Sequence, residues 1–250
     1  MFKKYKAIPL NKRRALSVAA VKAGQGYSLK DNKQWYNAMI SDVQAYKEQR
    51  GLQLKSEDEK KNWPKEGIKV LRKIASEFKR TIRLALQTPS VESLYLYSQY
   101  ILVKFYSEVA LRNTLADVEI GKGDNYLSKS KGIYTIHLSK FKANDKVGDV
   151  EFKLSRALST AIHKYIKFRA QLKPDHNYLL VNAKGGKLSK KGLGVILQKL
   201  TKQFTGKAFG TRLIRILKAT ENKKVLDKAL KISKEMLHKD LETTVSYARK

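Results

Sequence analysis

Seven side chains in this 250-residue sequence combine types that could do phosphate chemistry. Arg112 stands in VALRNTLADVEI, Lys140 and Lys142 end an alternating stretch, and Arg212 and Arg215 lie in GTRLIRILKAT. His238 and Tyr247 close the chain in MLHKDLETTVSYARK. A guanidinium neutralises oxyanion charge bidentately and stays protonated throughout the physiological range. A phenol, with a reference pKa near 10, becomes a nucleophile only in a strongly cationic pocket. Arg212 and Arg215 are three apart, so a helix would carry both on one side. His238 and Tyr247 are nine apart, two and a half turns, so one straight helix would point them opposite ways. Their convergence requires a bend between them, near Asp240 or Thr243. Taken singly, each of these residues reads as an ordinary surface or core position.

The elements that must position them follow from apolar spacing. LKDNKQWYNAMISDVQAYKEQRG offers Asp31 as a start signal, Trp35, Met39, Val43 and Tyr46 at helical spacing, and Gly51 as a stop. Pro64 to Leu86 repeats the pattern with Ile68, Leu71, Ile74, Phe78 and Ile82, interleaved with basic residues. QTPSVESL marks a boundary, with Thr88 as cap and Pro89 at the first helical position. Leu94 to Leu111 reads as a buried core helix, since Lys104 and Glu108 interrupt it and it is too short to span a membrane. IYTIHLSKFK (133–142) and GDVEFKLS (148–155) alternate as antiparallel strands, putting Lys140 and Lys142 on one face at a strand end. A helix is expected over Ser155–Ala170, a short strand at YLLVN (178–182), and helices from there to the end. AKGGKLSKKG lacks P-loop spacing and reads as a basic turn.

Composition limits the partner. Fifty-three Lys and Arg against 22 Asp and Glu give a formal charge of +31, which calls for a polyanion. Residues 1–88 carry 21 basic against 8 acidic residues and the remainder 32 against 14, so both parts are basic and two lobes gripping one polyanion is the economical picture. The 42% apolar content supports a buried core. The absence of cysteine excludes disulfides and thiolate metal sites, and with no signal-peptide pattern an intracellular location is expected.

In order along the chain, Arg112, a strand-end lysine, RLIRILKAT and LHKDLETTVSY resemble the catalytic domain of the tyrosine recombinases of the phage-integrase type, relatives of the type IB topoisomerases. The resemblance covers residues 90–250. Arg215, Ala219 and Thr220 match the family's second motif, and His238, Thr243, Thr244 and Tyr247 its closing one. Arg212 replaces the usual histidine, Leu115 the expected acidic residue and Leu237 the usual glycine. The resemblance implies a mainly α protein with a small antiparallel β-sheet (α+β), arranged as a two-lobed DNA clamp. Residues 1–87 would be a helical basic core-binding DNA-binding domain and 88–250 the catalytic domain. It implies double-stranded DNA as partner, a tetramer on DNA, and cleavage and rejoining through a 3′-phosphotyrosyl link to Tyr247, with no metal, cofactor or membrane. Arg112, Arg215, Arg212 and His238 would hold the phosphate, and Lys142, or alternatively Lys140, would protonate the leaving 5′ oxygen. A topoisomerase-like nicking and closing activity, and a DNA-binding protein that keeps the fold without the chemistry, are the alternatives.

Overall fold

The computed structural model describes residues 5–24, 29–237, 241 and 245; His238, Thr243, Thr244 and Tyr247 lie outside them. The chain divides into two compact units, Met1–Lys60 and Lys61–Lys250. In the first, helices α1 (Leu10–Ala23) and α2 (Leu29–Gly51) pack on each other. α2 begins two residues before Asp31 and ends at Gly51, with Trp35, Met39, Val43 and Tyr46 half-buried. Among the described residues Asp42 is a buried charge of this unit; it pairs with Arg13 Nε at 2.7 Å and accepts the Tyr5 hydroxyl. α3 (Glu57–Asn62) follows.

The second unit is built on one core. Ile68, Leu71, Ile74, Phe78 and Ile82 are all buried, from the turn before helix α4 (Val70–Thr81) to the residue after it. They share that core with helix α5 (Val91–Tyr106), in which Ile101, Leu102, Val103, Phe105 and Tyr106 are at most 1% exposed. Compactness therefore groups residues 61–87 with the C-terminal unit, whereas the boundary signals in the sequence put a division at 87/88. The cap of α5 is Ser90 rather than Thr88. Ser90 and Ser93 form a reciprocal capping box, and Thr88 contributes only a carbonyl that accepts the Ser93 hydroxyl at 2.9 Å.

A small sheet follows, in the order β1 (Glu119–Ile120), β2 (Asn125–Ser130), β3 (Ile133–Leu138), β4 (Val150–Lys153). The fold is thus mainly α with a small sheet, as expected, but the sheet is mixed: β1 runs parallel to β2, and the other pairs are antiparallel. The loop between β1 and β2 holds Gly121 at φ +97° and Gly123 at φ +143°, conformations L side chains avoid. Strand β2 was not expected. Its hairpin with β3 turns on Lys131 and Gly132, both at positive φ (47° and 82°), the two-residue turn whose twist suits adjacent strands. β3 stops at Leu138, short of the 133–142 expected. Lys140 and Lys142 consequently lie in the β3–β4 connection, which contains helix α6 (Asn144–Val147), so strand alternation does not place them on one face. YLLVN is not a strand of the sheet: Leu179, Leu180 and Val181 are fully buried, but the segment makes only isolated bridges, Tyr178 to Glu119 and Val181 to Lys187.

Helix α7 (Arg156–Leu172) starts at its Ser155 cap, as the sequence indicates. Helices α8 (Lys190–Thr205), α9 (Thr211–Glu221) and α10 (Lys223–Glu235) complete the described fold. Among the described residues no helix is long and apolar enough to cross a membrane.

Candidate active site

RLIRILKAT forms α9 because Leu213, Ile214 and Leu217 recur at helical spacing and are buried. That burial rolls Arg212 to an exposed position and leaves Arg215 half-buried, one turn further on and on the same side. Arg112 approaches from a different part of the chain. It sits exposed at the start of a 3₁₀ turn, Asn113–Asp117, six residues beyond Tyr106, where α5 ends short of the Leu111 expected.

Two sets of hydrogen bonds fix that approach. The buried Tyr106 hydroxyl donates to the Arg112 carbonyl at 2.7 Å. Next along the chain, the Asn113 amide donates to the Lys190 carbonyl at the start of α8 (2.8 Å). The Asn113 carbonyl oxygen accepts the Thr211 hydroxyl at the start of α9 (2.6 Å). One side chain therefore ties the residue after Arg112 to the residue before Arg212.

The result is a concentration of positive charge. Burial lowers the pKa of Arg215, the charges of Arg112 and Arg212 lower it further, and Tyr106 opposes the shift. The Arg215 Nε is buried and has no hydrogen-bond partner among the described residues. No carboxylate there forms an ion pair with Arg112 or Arg215. A half-buried guanidinium beside two others, with one buried donor unpaired among the described residues, is a costly arrangement on its own. An oxyanion with several acceptor oxygens offsets the cost.

Asp117 closes the same turn and is spent elsewhere: it pairs with Lys190 (2.5 Å) and Lys187 (3.1 Å). Burial alone would raise its carboxyl, but the two lysine hydrogen bonds win and hold it below the ordinary carboxylate range. Leu115, where the recombinase pattern has an acidic residue, is fully buried in the core.

Of the two candidate lysines, Lys140 makes an exposed ion pair with Asp124 at 3.0 Å, and this partner raises its pKa. Its backbone is pinned to Asn125, whose side chain accepts from Lys140 N and donates to Lys140 O, both at 3.0 Å. Lys142 is exposed. At the tip of the β2–β3 hairpin stands a third lysine, Lys131, with Lys129 two residues before it. The described residues thus bring Arg112, Arg212 and Arg215 together; His238 and Tyr247 lie outside them. Sequence reasoning missed Tyr106, Asn113 and Thr211, whose only signal is adjacency to the arginines or to the end of the core helix.

No family model matches the chain, and no curated protein matches it either. Among solved structures it resembles a crystal structure of XerA recombinase at 16% identity, over 70% of this chain and 57% of that one, with a TM-score of 0.40. The chain spans little more than half the length of that recombinase. A likeness at that score says nothing of function.

Proposed function

We propose that the protein is a site-specific recombinase or integrase that cleaves and rejoins double-stranded DNA through a covalent 3′-phosphotyrosyl intermediate. The observation that carries this reading is the guanidinium cluster of Arg112, Arg212 and Arg215, with its buried, unspent Arg215 Nε. Such a site suits a phosphodiester passing through a transition state in which charge builds on the non-bridging oxygens. Tyr247 gives its phenolic proton to solvent and attacks phosphorus as the phenolate, the tyrosyl ester forms, and the 5′ oxygen leaves with a proton from a lysine ammonium. Lys142 or Lys140 supplies that proton. The position of Lys131 at the exposed two-residue tip of the β2–β3 hairpin supports it as a third candidate. His238 donates to a non-bridging oxygen from the segment preceding Tyr247. The tyrosyl ester conserves the energy of the broken bond, so rejoining is the reverse attack by a 5′ hydroxyl.

The basic N-terminal part, which the sequence signals end at residue 87 and the compact units at residue 60, acts as the core-binding DNA-binding domain ahead of the basic catalytic domain (88–250 by the sequence signals), and a tetramer assembles on double-stranded DNA. The deciding experiment is a suicide duplex that traps the adduct. Wild type forms a covalent complex retained on a denaturing gel, and Tyr247→Phe, which deletes one oxygen, binds DNA but forms none. A covalent complex with Tyr247→Phe refutes the assignment of the nucleophile.

A further inference from the structure

The face of the sheet turned away from the core carries a second arrangement that the DNA chemistry does not use. Leu127, Tyr134, Ile136 and Leu138 are buried on one face. Strand alternation therefore places Tyr126, Ser128, His137 and Glu151 together on the other. Register sets His137 between Tyr126 on β2 and Glu151 on β4. Ser128, two residues along β2, reaches His137 diagonally: its Oγ is 2.8 Å from His137 Nε2. On the other side of the ring, His137 Nδ1 is 3.1 Å from Glu151 Oε2. The carboxylate can only accept, so in the neutral imidazole Nδ1 carries the proton and the Nε2 lone pair accepts the serine hydroxyl. The Tyr126 ring lies flat on the imidazole, centroids 4.4 Å apart and planes within 9°, and fixes its plane. Nucleophile, base and orienting acid are thus in hydrogen-bond contact in sequence, each on a different strand of an antiparallel ladder.

We propose that Ser128 is a relay-activated nucleophile that takes an acyl group from activated esters, through residues that include none of the arginine cluster. The Ser128 Oγ bonds to the ester carbonyl carbon as its proton passes to His137 Nε2. Glu151 stabilises the imidazolium that results. The tetrahedral adduct expels the alkoxide or aryloxide, which takes that proton and leaves as the alcohol or phenol, and Ser128 is left acylated. General-base assistance of this kind contributes about 10²- to 10⁴-fold. Ser128 and His137 are half-buried and Glu151 is exposed, so the lower end of that range is expected.

The test uses the full-length protein and a fluorophosphonate probe, which reports the same activation: the oxygen–phosphorus bond forms, and fluoride leaves with the proton. Peptide mapping is expected to find the adduct on Ser128 and to lose it in Ser128→Ala. His137→Gln should slow labelling by about 100-fold, the general-base contribution. Glu151→Gln should slow it several-fold, with thermal melting reported for each variant. Should His137→Gln unfold the protein, the exposed Glu151→Gln still decides, since a merely structural hydrogen bond would not change the labelling rate of a folded protein. Labelling spread over other serines, or a Ser128 rate unchanged in the folded relay variants, overturns the proposal.

Discussion

Asn113 offers the most direct way to separate a built site from a coincidence of surface arginines. Its amide spans the start of α8 and the start of α9, accepting from Thr211 at 2.6 Å and donating to Lys190 at 2.8 Å, and it neighbours Arg112. Asn113→Ala removes both bonds. At roughly 1 kcal/mol net for each, the unit should lose about 2 kcal/mol and melt about 4–8 °C lower. Catalysis should lose more than stability does. Freed from its tether, the Arg112 turn can drift from α9, and a displacement of about 1 Å in a positioning group costs on the order of 10²-fold in rate. The control is Ser159→Ala, which deletes a fully buried hydroxyl on α7 that accepts the Tyr134 N–H at 3.0 Å, at a comparable cost in stability and without contact to Asn113. Covalent complex formation on a suicide duplex should fall about 100-fold for Asn113→Ala and by less than about threefold for Ser159→Ala. Equal losses for the two variants would mean that Asn113 only stabilises the fold.

If the two basic domains close on a duplex and neutralise six to ten phosphates, affinity should fall by about 10³-fold or more from 50 to 200 mM salt, and a flat salt titration would remove the clamp. A 5′-thio leaving group, which needs no proton, should rescue cleavage in whichever of Lys142→Ala, Lys140→Ala and Lys131→Ala has lost the general acid; rescue of none removes lysine from that role. The depressed Asp117 carboxyl makes folding stability depend on acid. Its folded pKa lies below its unfolded one, so its contribution is full above about pH 4 and is lost as pH falls through the folded value. Denaturant midpoints measured downward from pH 5 should therefore fall less steeply for Asp117→Asn than for wild type.

How much of this was legible in the chain depends on the distance over which each feature is encoded. Ile68, Leu71, Ile74, Phe78 and Ile82 announce α4 and its flanks because a helix repeats every few residues, and all five are buried. The same local logic puts Arg212 and Arg215 on one side of α9. The cap of α5 was misassigned by two residues because Thr88 and Ser90 are both competent caps flanking Pro89. The choice falls to Ser90 because it is the one with a partner three residues on, Ser93, to close the box. β2 escaped notice because NYLSKS carries little apolar alternation; its evidence was the Lys-Gly turn after it, not the strand itself. YLLVN misled in the opposite direction, since a short run buried all round has the composition of a strand whether or not it finds one to pair with.

The arginine cluster is a different kind of object. Arg112 is joined to α8 and α9 through Asn113 contacts that span 77 and 98 residues of sequence, and no local pattern encodes such a pairing. Motif order could nominate the three arginines but could not say what holds them together. Like charges repel, and packing of Leu213, Ile214 and Leu217 together with the Tyr106 and Asn113 tethers opposes the repulsion between half-buried Arg215 and its neighbours Arg112 and Arg212. If the cluster is held for a DNA phosphate, as proposed, its mutual repulsion costs stability, and a charge-neutral replacement such as Arg215→Met should raise the melting temperature while weakening DNA binding.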